Sequence, residues 1–293
     1  MIKLIFLAFL AAALSNCGAP NAALLTHPKR LYSFPMYISV PGSTENSGVI
    51  YRINDSNLDA KASVETVIEN LNFPTSLSIE TDGTILFVVK ESTNTGRIMK
   101  LEAGSKTPTE VYANLTTPGG ITVDSANRLY VTQTSTNSLS RVISSTKLEL
   151  ITDSLNQPTA ITSDESDNLI VTESSLGRVS QVIADGTRKS ILTDLENPRF
   201  AGPGLVGNTF VIENKQGLGD GSGLLIPDSG APTEFLSNLI NPKSFAWEDG
   251  TVLFIAEGSP VFRIIKYSTV SAIRTTLAEF NEEPHTITLT PLK

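Results

Sequence analysis

The sequence predicts an all-β fold, a six-bladed β-propeller with four antiparallel strands per blade and the first blade closed by the C-terminal strand. Three observations carry this. A Pro recurs at positions 74, 118, 158, 198, 242 and 284, at intervals of 44, 40, 40, 44 and 42 residues. After each of the first five, short stretches of apolar–polar alternation follow one another across turns, without the i, i+3, i+4 spacing that helical repeats of similar length require. After Pro284 only enough chain remains for one strand.

The third repeat shows the unit most plainly. Pro118-Gly-Gly-Ile-Thr-Val is followed by a turn at 124–128, then by Leu-Tyr-Val-Thr-Gln at 129–133, and by two further strand-like runs at 139–143 and 147–152. Four-stranded units at this period bury their sheet faces against neighbouring blades. Asp82-Gly83, Asp249-Gly250, Asp185-Gly186 and Ser229-Gly230 supply residues that tolerate positive φ in tight hairpins. Residues 36–40, 48–53 and 64–70 match strands two to four of a repeat whose first strand is missing. The nine residues after Pro284 match a first strand and nothing more. The C-terminus is therefore expected to supply the innermost strand of the first blade, which closes the ring and removes open edges.

The chain carries a formal net charge of −8. With no Lys/Arg-rich run and no aromatic–basic interleaving, this excess of acid argues against nucleic acid as a partner.

At the N-terminus, Lys3 precedes an apolar stretch over residues 4–14, too short to span a bilayer and laid out as a secretory leader. It ends at Leu14-Ser15-Asn16-Cys17, which resembles a bacterial lipobox, with Asn16 where Gly or Ala is usual. The resemblance implies lipidation of Cys17 and a membrane as partner through that lipid. Cys17 is the only Cys in the chain, so no intramolecular disulfide is open to it. The organisation expected is a leader at 1–16, a lipidated Cys and tether at 17–35, and the propeller at 36–293. The place implied is the bacterial cell envelope, with the lack of Asp after Cys17 resembling outer-membrane sorting.

Runs such as Pro158-Thr-Ala-Ile-Thr-Ser-Asp, Asn168-Leu-Ile-Val-Thr-Glu and Asn127-Arg-Leu-Tyr-Val-Thr-Gln resemble NHL-repeat propellers and the wider gluconolactonase-like superfamily over residues 36–293. Enzymes of that superfamily hold a divalent metal at the channel mouth with Glu, Asn and Asp near the starts of first strands, because hard cations need oxygen ligands. Here the residues directly after the repeating Pro are Thr75, Gly119, Thr159, Arg199, Lys243 and His285. None is acidic or an amide, and no metal or other cofactor is expected. Streptogramin-lyase-like propellers use a His base. Of the two His, His27 falls in the tether and His285 at the start of an inner strand, where a backbone-bonded rim residue is the simpler reading.

A second set sits at the ends of the second strands: Lys90, Gln133, Glu173, Glu213 and Glu257. Antiparallel pairing suggests that Arg199 meets Glu213 and Lys243 meets Glu257, as local charge compensation. The same groups, with His285, Lys90 and Arg199, can equally form a mixed-charge pocket for an anion. In that case sulfate or a sugar acid is expected to stabilise the domain more at pH 6 than at pH 8, through a charged imidazole. The Gly-rich run 217–223 reads as a hairpin loop between strands, with a weak Ca²⁺ site at Asp220 as the other reading. Two functions remain open on these residues. One is a lipid-anchored binding or scaffolding protein holding a protein, a glycan or a small anionic ligand. The other is a hydrolase or lyase with an altered channel site.

Overall fold

A computed structural model describes residues 32–54, 62–91, 94–183, 185–217, 219–248 and 250–291. The leader, Cys17 and His27 lie outside the described residues. Blade 1 holds β1 (Tyr32–Val40), β2 (Gly48–Ile53) and β3 (Val64–Leu71), with the last strand, β24 (Thr286–Pro291), on its inner side in the order β24-β1-β2-β3. Blade 2 is β4 (Pro74–Ile79), β5 (Ile85–Lys90), β6 (Thr95–Leu101) and β7 (Thr109–Thr116). Blade 3 is β8 (Pro118–Val123), β9 (Leu129–Gln133), β10 (Ser138–Ser144) and β11 (Lys147–Thr152). Blade 4 comprises β12 (Pro158–Ser163), β13 (Leu169–Glu173), β14 (Arg178–Val182) and β15 (Arg188–Leu192). Blade 5 comprises β16 (Pro198–Pro203), β17 (Thr209–Glu213), β18 (Gly221–Ile226) and β19 (Thr233–Leu239). Blade 6 comprises β20 (Pro242–Glu248), β21 (Val252–Glu257), β22 (Arg263–Ser268) and β23 (Arg274–Glu279). The sheets are antiparallel, and helix is confined among the described residues to short 3₁₀ turns at Ser174–Leu176 and Leu205–Gly207. β1 begins at Tyr32, four residues before the boundary read from the sequence.

The core lies between blades, because the second strand of each sheet is buried on both faces. In β5, Ile85, Phe87 and Val89 pack with Tyr37 and Ile50 of blade 1. The intervening Leu86 and Val88 pack with Ile121, Val123 and Val131 of blade 3. The two-residue period of a strand thus divides one apolar run between two interfaces.

Closer to the axis, hydroxyls join neighbouring inner strands. The backbone N–H groups of Ile121 and Val123 donate to Ser76 Oγ and Ser78 Oγ, each at 3.1 Å, and Thr162 Oγ1 donates to the Ala201 carbonyl at 2.9 Å. The closing strand is held in the same way on both sides: Ile287 N–H donates to Ser244 Oγ at 2.9 Å, and Thr286 Oγ1 donates to the Thr75 carbonyl at 2.8 Å. Ile287 and Leu289 bury their side chains with Phe254, Ala256 and Ile264 of blade 6 and Met36 and Ile38 of blade 1.

The Gly-rich run departs from the expected loop. Gly221 and Gly223 belong to β18, where a Cβ on Gly221 would lie 2.7 Å from Pro242 Cδ and one on Gly223 would lie 2.5 Å from Phe210 Cζ. These glycines serve close packing rather than flexibility.

Replacing Ile287 by Ala is expected to destabilise the domain by about 2–5 kcal/mol, since it opens a cavity beside the closure. Leu150→Ala, at a side chain 58% exposed, should change stability by less than about 0.5 kcal/mol. Urea midpoints measured on both variants check the pair, and equal midpoints would contradict the closure.

Candidate functional site

In five blades the first strand carries a register shift immediately after the repeating Pro. The shifts fall between Pro74 and Ser76, Pro118 and Ile121, Pro158 and Ala160, Pro198 and Phe200, and Pro242 and Ser244. A bulge leaves its extra residue unpaired and re-aims the side chain. The residues left over include Thr75, Gly119, Thr159, Arg199 and Lys243. In blade 1 the matching position is His285, whose N–H donates to the Ser39 carbonyl at 2.8 Å. These six, with Thr286 and Phe200 among their neighbours, line one cavity of about 30 Å³ at the channel mouth. The structure therefore brings together the ring read from the residues after the Pro.

The second set divides. The register puts Glu173 opposite Pro158, Glu213 opposite Pro198 and Glu257 opposite Pro242, so the bulged Arg199 and Lys243 do not face these acids. The expected Arg199–Glu213 and Lys243–Glu257 pairs do not form. Each carboxylate turns instead into its own blade. Glu173 accepts from Arg178 Nε at 2.8 Å and Ser180 Oγ at 2.5 Å, Glu213 from Ser222 Oγ at 2.8 Å, and Glu257 from Arg263 Nε at 2.7 Å. Lys215 Nζ also approaches Glu213, at 3.4 Å. Burial disfavours ionised Glu173, but the bonds from Arg178, Ser180 and the Asn156 N–H outweigh it and hold its carboxyl below the ordinary range.

All three acids, and Gln133, share a further bond that the sequence reading missed. Each accepts a backbone N–H from the residue 17 positions earlier: Thr116 to Gln133, Asn156 to Glu173, Glu196 to Glu213 and Ile240 to Glu257, at 2.7–2.9 Å. Thr116 ends β7 and the other donors lie in the chain crossing from one blade to the next, so these side chains latch blade to blade. The constant spacing was the available signal. In blade 2 the residue opposite Pro74 is Val89, and Lys90 lies one step beyond. A one-residue step reverses the side of a strand from which a side chain projects. Lys90 is thereby separated from the Glu set and acts on His285.

The electrostatics of the mouth follow. Lys90 and Arg199 form no ion pair among the described residues, and burial depresses the basicity of both, with Glu283 partly restoring that of Arg199. Lys243 pairs with Glu283, a residue the sequence reading passed over. His285 Nδ1 lies 3.4 Å from Thr286 Oγ1. Its pKa is lowered from 6.5 to about 4, by burial first, then by Lys90, Lys243 and Arg199, against a hydrogen bond to the Thr75 backbone. The imidazole is thus neutral at both pH 6 and pH 8. The expected gain in anion binding at pH 6 through a charged His285 is corrected accordingly. Thr75 Oγ1, in the same lining, is buried without a hydrogen-bond partner.

Two predictions follow from these placements. A base whose folded pKa is depressed keeps its full stabilising contribution above the unfolded value and loses it as pH falls towards the folded one. Wild type should therefore lose up to about 3 kcal/mol more than His285→Gln between pH 6.5 and pH 4; parallel stability profiles would contradict the placement. Glu173→Ala should cost about 3 kcal/mol by leaving Arg178 without its buried partner, with anion affinity at the mouth unchanged in titration calorimetry. A specific loss of anion binding would return Glu173 to the pocket.

No protein-family model matches the chain, and no curated protein is significantly similar to it. Solved structures share its fold. A chain of a nidogen/laminin complex superposes with a TM-score of 0.69 at 14% identity, covering 87% of this chain and 98% of that one. A gluconolactonase from Xanthomonas campestris gives 0.63 at 13% identity, covering 86% and 91%. A streptogramin B lyase gives 0.60 at 16% identity, covering 88% and 89%. At these identities the likeness is one of architecture. This chain is a six-bladed β-propeller of the same build as these binding and catalytic proteins.

Proposed function

We propose that the protein is a lipid-anchored envelope binding protein whose propeller holds a small anionic ligand, or an acidic group presented by a protein or glycan, at the channel mouth. The observation that carries this is the convergence of Lys90, Arg199 and Lys243 around a neutral His285, with Glu283 as the single carboxylate paired there, on a chain of net charge −8. Partly desolvated cations such as Lys90 and Arg199, which form no ion pair among the described residues, lower the free energy of an anion more than solvated ones do. The same charges oppose a divalent cation at the position where metal-dependent propellers hold one.

The anchor is compatible with this use. The described chain begins at Tyr32, which pairs with Pro291, the end of β24 remote from His285.

A thermal-shift and calorimetric comparison with sulfate and glucuronate tests the site. Wild type should be stabilised beyond the non-specific effect of the salt, and a Lys90→Met, Arg199→Gln variant should lose roughly tenfold or more in affinity. Equal responses would remove the pocket, and a chelator-sensitive lactonase rate would replace binding by catalysis. For the anchor, a fatty-acid analogue should label wild type and not Cys17→Ser in cells.

A further inference from the structure

Glu283 stands where the chain enters its last inner strand. The residue before the repeating Pro has a positive φ in the other five blades, between 44° and 50° at Phe73, Thr117, Gln157, Asn197 and Asn241, whereas Glu283 does not. It takes a different backbone path, and its carboxylate meets Lys243, whose side chain is only 10% exposed. The field of the same carboxylate reaches Arg199 without an ion pair, and Lys90 has no such neighbour.

The pair lies on bare backbone. A Cβ on Gly258 would fall 2.6 Å from Lys243 Cε and 2.9 Å from Glu283 Cδ. Gly258 follows Glu257 as Lys90 follows Val89, Thr134 follows Gln133, Ser174 follows Glu173 and Asn214 follows Glu213. Blade 6 alone is empty at that step, and the Lys243–Glu283 pair fills the space.

We propose that Glu283 is an internal occupant of the anion site, and that the ligand is a small organic acid whose carboxylate displaces it from Lys243. This rests on the anion-binding reading above and adds the ligand's chemical class and a built-in competitor. The resident group indicates the class, since Lys243 already holds a planar carboxylate there. A cavity of about 30 Å³ admits a carboxylate head and leaves the body of the acid on the propeller face. The buried Thr75 hydroxyl in the lining supplies a donor with no protein partner.

Displacement needs only a side-chain movement. Phe280 N–H donates to the Phe262 carbonyl at 2.8 Å and His285 N–H donates to the Ser39 carbonyl at 2.8 Å, so the backbone on both sides of Glu283 is tied down. Glu283 itself is 34% exposed and has solvent to turn into.

Titration calorimetry with glucuronate, and with sulfate and glucose as comparison probes, tests this on wild type, Glu283→Gln, Gly258→Ala and Lys90→Met. Removing the competing charge should tighten glucuronate binding about tenfold in Glu283→Gln. Gly258→Ala keeps every charge and crowds the pair together with Asn241 Nδ2, 2.9 Å from the added Cβ, and should tighten binding in the same direction by a smaller factor. Lys90→Met should weaken it, and glucose should not bind. If wild type binds glucuronate and Glu283→Gln binds it equally or more weakly, the internal-competitor proposal is overturned while the anion site stands. Sulfate bound more tightly than glucuronate would overturn the carboxylate class. If no variant binds either anion, the anion site itself falls, and this proposal with it.

Discussion

The rest of this structure depends on the extra residue that follows the Pro at the head of five of the six inner strands. Without it the alternation of β4, β8, β12, β16 and β20 would continue in phase from the Pro, and the side chains of Arg199 and Lys243 would be placed by ordinary pairing with the second strand. With it, those side chains leave the ladder and meet at the axis. The hydroxyl bonds between inner strands hold the ring at the level where this happens. Ser244 and Thr286 perform that task for the blade assembled from both ends of the chain.

The same geometry separates acid from base. Glu173, Glu213 and Glu257 end their strands directly opposite a Pro and are consumed by bonds within their blades and by the latch to the preceding chain crossing. Had they faced the axis, the mouth would be a neutral, self-compensated rim. Because they do not, an acidic protein presents a cationic centre, and among the described residues the carboxylate paired there, Glu283, arrives on a separate segment. Burial and three neighbouring cations then keep His285 neutral, so it offers the ring hydrogen bonding and not charge.

The blade number, the shared first blade and the six residues around the mouth were legible in the sequence because each rests on a spacing that the Pro marks. The partners of the charged residues were not, since a single unpaired residue reverses every facing that strand alternation implies. Lys90 illustrates the point: it lies 16 residues after its Pro, whereas Gln133, Glu173, Glu213 and Glu257 lie 15 after theirs, and that one step moves it from the latches to the mouth. Glu283 escaped because its role depends on a backbone path absent from the other five junctions. The glycines of β18 look like a flexible loop in the sequence, and only the proximity of Phe210 and Pro242 shows why side chains are excluded there.

The central claim is that the bulges build an anion site, and not a metal site, at the channel mouth. Crystals soaked separately in bromide and in manganese, with anomalous scattering recorded from each, test it most directly. The account predicts a bromide peak at the mouth within reach of Lys90, Arg199 and Lys243, and no manganese there. Manganese bound at the mouth, with bromide absent, would contradict it.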